Sequence, residues 1–190
     1  NFGTASAMMN NEGDAILLYE KKETGTQSIP TEGYTVKEMA ERVEAVLTEI
    51  GLTEFFAPIV VVTGHGSSST NNPYFAAYNC GACSGHSGAV NARLFALMAN
   101  RLDVRTLLAK RKIKIPQDTY FIGALHDTAR DEVEFFDKEN LPQNTLEGLR
   151  EVEALFKKAL EQNARERSRR FAMLPLGIAP QNAHKEVKQR

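Results

Sequence analysis

Ile59-Val60-Val61-Val62-Thr63-Gly64-His65-Gly66-Ser67-Ser68-Ser69 is the stretch on which the fold turns. Four branched apolar residues in a row, bounded by Pro58 and Gly64, predict a buried strand over Ile59 to Thr63. The strand gives way at once to small and polar residues. A long, non-periodic stretch of Ser, Thr, Asn, Gly and Pro then runs from Gly64 to about Gly85. Loops of that length are uncommon inside compact domains unless they serve function.

Upstream lies the clearest local signal. Thr35 is a good N-cap, Glu38 completes a capping box, and Tyr34 is placed to staple onto Met39. Val36, Met39, Ala40, Val43, Val46, Leu47 and Ile50 recur at helical spacing, and Gly51 is the stop. Before it, residues 1–33 offer only Ile16-Leu17-Leu18-Tyr19, a strand or a helical turn. Downstream, a helix is expected from about Gly88 to Arg101, burying Val90, Leu94, Phe95, Leu97 and Met98. A shorter helix follows around Val104 to Lys110, and Pro116 ends that unit. Thr119 to Leu125 reads as a second buried strand with His126-Asp127 at its end. Leu146 to about Arg169 reads as a last helix, with Leu149, Val152, Phe156, Leu160 and Asn163 on one face. Phe55-Phe56 and Phe135-Phe136 read as core. Strand, helix, strand, helix in this order implies an α/β fold with a mostly parallel sheet and flanking helices, in a single domain over residues 1–190.

The composition sets bounds. The chain has 190 residues, 42% hydrophobic and 25% charged, with a formal net charge of -1. That is enough for one domain with a real core. The charge balance gives no electrostatic footprint for nucleic acid. The longest purely apolar run, Ile59 to Val62, is far too short to span a bilayer. The two cysteines, Cys80 and Cys83, lie too close in sequence to staple a fold, and a reducing compartment fits best. The chain opens on Asn1 with no secretory pattern and ends in His184-Lys185-Glu186-Val187-Lys188-Gln189-Arg190 without a cap or turn. The expectation is an excised piece of a larger protein.

In open α/β sheets ligands bind beyond the C-terminal ends of the strands. Both expected strands end in chemically capable residues: Gly64-His65-Gly66-Ser67-Ser68-Ser69 after the first, His126-Asp127-Thr128 after the second. His65, Cys80, Cys83 and His86 are soft ligands of the kind that hold zinc in tetrahedral sets. Three readings are open: a closed structural zinc knuckle of all four, a site in which only some ligate, or no metal at all. Gly64-His65-Gly66-Ser67-Ser68 as a phosphate loop is the weakest alternative, lacking the Lys and the immediate helix of a P-loop. His126-Asp127 is either a proton relay or a structural pair at a strand end. Arg165, Arg167, Arg169 and Arg170 read as a solvated, basic helix end, with a docking surface as the alternative.

The order strand, Gly64-His65, loop, Cys80-Gly81-Ala82, helix resembles the second half of a β-carbonic anhydrase zinc site. The fourteen residues between His65 and Cys80 depart from the usual short spacing and resemble a narrower family, DabA. The likeness rests on Thr63 to Pro73, on Asn79-Cys80-Gly81-Ala82-Cys83-Ser84-Gly85, on His126-Asp127-Thr128 with Asp131-Glu132-Val133, and on Glu166-Arg167 with Arg169-Arg170. It covers roughly residues 55–175. The resemblance implies a β-carbonic anhydrase-like fold, here incomplete. It also implies part of the zinc-dependent soluble subunit of an energy-coupled transporter of carbon dioxide and bicarbonate. Zinc would lower the pKa of bound water to about 7, and the resulting hydroxide would attack carbon dioxide. Of the family's four zinc ligands, His65 and Cys80 match the second pair. The first pair, a Cys-x-Asp, is absent from this chain, as is the Asp-Arg pair that gates the family's site. The resemblance gives Cys83 and His86 no role as ligands. Ser67, Ser68, Asn71 and Asn72 either support the site as donors or merely satisfy the loop backbone. The implied partner is a DabB-like, proton-conducting membrane subunit. The implied place is peripheral, on the cytoplasmic side of the bacterial inner membrane. The chain alone is expected to be inactive. His65 and Cys80 are expected to face one point beyond the strand ends.

Overall fold

The computed structural model describes residues 33–68 and 78–188. The Ile16–Tyr19 patch, Ser69, Asn71 and Asn72 lie outside the described residues. The elements in order are α1 (Val36–Glu49), β1 (Ile59–Gly66), α2 (Ala89–Asn100), α3 (Leu102–Lys110), β2 (Tyr120–Asp127), β3 (Glu132–Phe135), α4 (Gln143–Ser168) and α5 (Pro180–Lys188).

The capping box of α1 is formed in full. The Glu38 backbone N–H donates to Thr35 Oγ1 at 3.1 Å, and the Thr35 backbone N–H donates to Glu38 Oε2 at 2.8 Å. Tyr34 and Met39 are both buried in the same cluster. β1 and β2 pair in parallel, with Ile59 opposite Tyr120 through to Gly66 opposite Asp127. Both strands run further than their apolar residues suggest, so His65, His126 and Asp127 belong to the strands themselves.

Alternation along β1 divides its side chains between two cores. Val60 and Val62 pack with α1, α2 and α3 around Met39, Leu47, Phe95, Met98 and Phe121. Ile59 and Val61 pack on the other face with Ile122, Ala124, Phe135 and Leu149, beneath α4. The result is three layers, with the sheet in the middle.

The expected mostly parallel sheet is corrected to a small mixed one. Its order is β1-β2-β3, and β3 pairs with β2 antiparallel. The connection from Asp127 to Glu132 is far too short for a crossover, so the chain can only reverse. β1 is an edge strand among the described residues, and its apolar run is accordingly half-buried, not buried. α4 begins earlier than expected, at Gln143, and α5 was not foreseen. Its Ala183 is fully buried and the helix packs against α4. Phe135 and Phe136 are core, as expected, but Phe55 is 92% exposed with φ 57° while Phe56 meets Phe121 edge-on at 6.2 Å. Among the described residues no helix is long and apolar enough to cross a membrane.

Candidate metal centre

His65 stands near the end of β1. By strand alternation it shares the α4 face with Ile59 and Val61, and it is opposite His126 in register. Its Nε2 lies 3.2 Å from Thr128 Oγ1. Thr128 is itself fixed by two bonds to one acceptor: its backbone N–H and its hydroxyl both donate to the Gly66 carbonyl, at 2.9 and 3.2 Å.

The two ends of the long polar segment are closed onto each other. The Ser67 N–H donates to Asn79 Oδ1 at 2.7 Å, which brings the residue before Cys80 onto the residue two beyond His65. The Gly88 N–H donates to the His65 carbonyl at 2.8 Å. Between them Cys80 to His86 form a compact turn. Cys80 and His86 make an isolated antiparallel bridge, and a short 3-10 turn spans Gly81–Cys83. Ser84 and Gly85 adopt positive φ, which lets the chain reverse within six residues. The start of α2 is pressed against β1. A Cβ on Gly64 would lie 2.3 Å from the Gly88 carbonyl oxygen, and one on Gly88 would lie 2.8 Å from the His65 nitrogen. Only glycine at both places allows this approach.

Cys80 and Cys83 are both free thiols in contact, with Sγ–Sγ 2.7 Å. Burial and then the neighbouring Cys80 push the Cys83 thiol up to about 11, against a smaller opposing pull from the Asn91 amide at 3.1 Å. Cys83 therefore stays an S–H group at neutral pH, a donor toward Cys80. The four soft ligands do not assemble as a knuckle: among the described residues no group of three or more His, Cys, Asp or Glu converges to hold a metal. His65 and Cys80 offer the imidazole and sulfur chemistry that zinc takes, but two donors make half of a tetrahedral set.

His126 and Asp127 do not form a pair, because adjacent strand residues face opposite ways. His126 Nε2 is buried without a hydrogen-bond partner. Asp127 serves the turn instead. Burial alone would raise its carboxyl, but hydrogen bonds from the Ser68 side chain and from the backbone N–H groups of Ser68, Arg130 and Ala129 hold it below the usual carboxylate range.

The basic end of α4 is not wholly solvated. Arg167 Nη1 donates to Asp131 Oδ2 at 2.7 Å and to the Thr128 carbonyl at 3.3 Å, and Asp131 is 2% exposed. Arg169 makes only a surface pair with Glu166.

His65 and Cys80 carry a ligand signature in the sequence, whereas Thr128, which meets His65, and Asn79, which closes the polar segment onto Ser67, carry none. The available signal was the matched register: both strands carry a His six residues after their first residue, which places Thr128 just past the end of its strand.

Comparison with known proteins bears on the whole assembly. Residues 3–190 match the family model described as "Probable inorganic carbon transporter subunit DabA". A protein of that name from Azotobacter vinelandii is 52% identical over 158 residues, 83% of this chain and 19% of the relative. One from Nitrosospira multiformis is 43% identical over 190 residues, 98% of this chain and 21% of the relative. One from Methylococcus capsulatus is 48% identical over 161 residues, 85% of this chain and 15% of the relative. The chain thus spans about a fifth of the length of these relatives. No solved structure matches it. With a family model covering nearly its whole length, this chain belongs to the family of inorganic carbon transporter subunits DabA.

Proposed function

We infer that this chain contributes the second half of a zinc site that hydrates carbon dioxide to bicarbonate, within a β-carbonic anhydrase-like subunit. The observation that carries the reading is the closure of the polar segment onto the strand end. Ser67 and Asn79 join its two sides, Gly88 is bonded to the His65 carbonyl, and Cys80 follows Asn79 directly. This gives one imidazole and one sulfur at the C-terminal edge of a parallel strand pair, where α/β sheets place their ligands.

His65 and Cys80 would hold the ion, which supplies an activated water at neutral pH. Cys83 directs its S–H toward Cys80. His126, opposite His65 in register and with an unpartnered buried Nε2, is the group placed to take the proton released by hydration. The remaining donors come from outside this chain, as does the membrane subunit, DabB-like and proton-conducting, to which transport is coupled. The place of action is the cytoplasmic face of the bacterial inner membrane, with this subunit peripheral to it.

Zinc content of the purified full-length protein tests the reading. His65→Ala and Cys80→Ala should each lose the metal, whereas Cys83→Ala and His86→Ala retain it. Equal loss in all four would favour a closed knuckle and overturn the assignment. Residues 1–190 alone, with two donors, should show no carbon dioxide hydration above the uncatalysed rate in a stopped-flow pH-indicator assay. Measurable turnover by that chain would equally count against it.

A further inference from the structure

We propose that Cys80 and Cys83 are a reversible thiol–disulfide pair, whose oxidation withdraws the Cys80 sulfur from the metal. Cys83 is the residue that raises the question. It has no place in the ligand set, yet its sulfur lies 2.7 Å from that of Cys80 and both thiols are free. The turn holds the two together from several sides. The Cys83 backbone N–H donates to the Cys80 carbonyl at 3.0 Å, with Gly81 and Ala82 between them. The Cys80 N–H donates to the His86 carbonyl and the His86 N–H to the Cys83 carbonyl, each at 3.1 Å. From the first turn of α2, Asn91 Nδ2 donates to Cys83 Sγ at 3.1 Å. A four-residue turn keeps its end Cα atoms within about 7 Å, and disulfides span about 4.4–6.8 Å. Closing the bond therefore asks for rotation of two side chains, not for movement of the backbone.

The surroundings make the pair responsive. Both cysteines are half-buried, and Gly81, Ala82 and Ser84 around them are exposed, so a small oxidant reaches the sulfurs. The closed ring would enclose only two residues, so it takes little entropy from the unfolded chain and adds little stability. A bond of this kind follows the surrounding thiol–disulfide balance and is no structural staple. The oxidant class is a small disulfide, such as oxidised glutathione. One cysteine sulfur, as thiolate, attacks it and expels one small thiol. The other then attacks the mixed disulfide and expels the second. Two cysteine S–H bonds and the oxidant's S–S bond break, and one S–S bond forms within the turn. The two protons and two electrons leave on two small thiols. The thiolate is the form of cysteine that ligates metals, so a disulfide sulfur no longer serves as that donor. Bound zinc in turn occupies Cys80 and slows the exchange.

The metal half of the proposal rests on Cys80 being a ligand, and the test separates the two halves. Metal-free full-length protein is exposed to oxidised glutathione and digested. The peptide carrying both cysteines is then weighed with and without an alkylating reagent. In wild type that peptide should lose two hydrogens, and both sulfurs should resist alkylation until dithiothreitol restores them. In the zinc-loaded protein the same oxidant should release zinc to a chromogenic chelator, and reductant with added zinc should restore the metal content. Cys83→Ser keeps the size of the side chain but cannot close the bond. It should hold its zinc at an oxidant level that empties wild type. Glutathione adducts alone on the oxidised wild-type peptide, sulfurs still open to alkylation, or equal zinc loss from Cys83→Ser would each overturn the proposal. Disulfide formation in a protein that holds no zinc even when reduced would instead remove the ligand reading and leave the thiol–disulfide pair standing.

Discussion

Gly64→Ala is the sharpest test of how the candidate site is built. The added Cβ would lie 2.3 Å from the Gly88 carbonyl oxygen, 2.4 Å from the Gly88 carbonyl carbon and 3.0 Å from the Ala89 nitrogen. An ordinary carbon-to-oxygen contact is about 3.3 Å or more, so the two backbones must separate by about 1 Å. No flexible side chain is available to yield, since all three neighbours are backbone. Overpacking of this kind costs about 1–3 kcal/mol. The separation also stretches the bond from the Gly88 N–H to the His65 carbonyl, now 2.8 Å, and its loss adds about 1 kcal/mol. The expected destabilisation is therefore about 2–4 kcal/mol. In urea, with a slope of about 1–3 kcal/mol per molar, the midpoint should fall by about 1 M or more with the slope unchanged. Gly81→Ala is the control. Nothing lies within 4 Å of its new Cβ, so its effect should stay within about 0.5 kcal/mol. A Gly64→Ala midpoint indistinguishable from that of Gly81→Ala would refute the close approach of α2 to β1.

Two further outcomes follow from the polar network. Arg167→Ala leaves the Asp131 carboxylate buried at 2% exposure with only Asn163, and should cost about 2–3 kcal/mol, less than a fully buried pair because Arg167 is 38% exposed. Adding Asp131→Asn to that variant should recover much of the loss, since Asn tolerates the φ of 54° there; no recovery in thermal or urea melts would show that charge is not what matters. The Asp127 carboxyl is held low in the folded chain, so its contribution is present above the unfolded carboxyl value and is lost as pH falls through the folded one. Asp127→Asn should therefore be less stable at neutral pH by about 1 kcal/mol and show a shallower loss of stability on acidification below about pH 4. Parallel acid profiles for wild type and variant would contradict that assignment.

Local chemistry made some of this architecture readable from sequence and concealed the rest. α1 announces itself because Thr35 and Glu38 are near neighbours in the chain and close the same turn. The two long strands show through their branched apolar runs. β3 was invisible because Glu132-Val133-Glu134-Phe135 is only four residues long and alternates charged with apolar. Its pairing is decided by the reversal at Asp127–Asp131, not by its own composition. Phe55 looked like core because aromatic pairs usually are, yet a left-handed backbone turns it outward. At the site, His65 and Cys80 were legible as a pair of ligand types in a recognisable order. Thr128 was not, because a threonine has no chemical signature of its own. What makes it relevant is a cross-strand neighbour fixed by the parallel register.

The register also orders events in time. β2 and β3 are a local hairpin, whereas His65 and Thr128 meet although they stand 63 positions apart in the chain. Closing a parallel pair at that separation is slow, since the entropy of the loop must be lost before any strand contact repays it. The hairpin and its clamp to α4 can form early, with Thr128 already mounted on its turn. β1 must then arrive carrying His65 and, through Gly88 and Asn79, the Cys80 turn. The candidate site is thus among the last parts of the chain to be assembled, and His65 and the Cys80 turn come together only once the long-range pairing is complete.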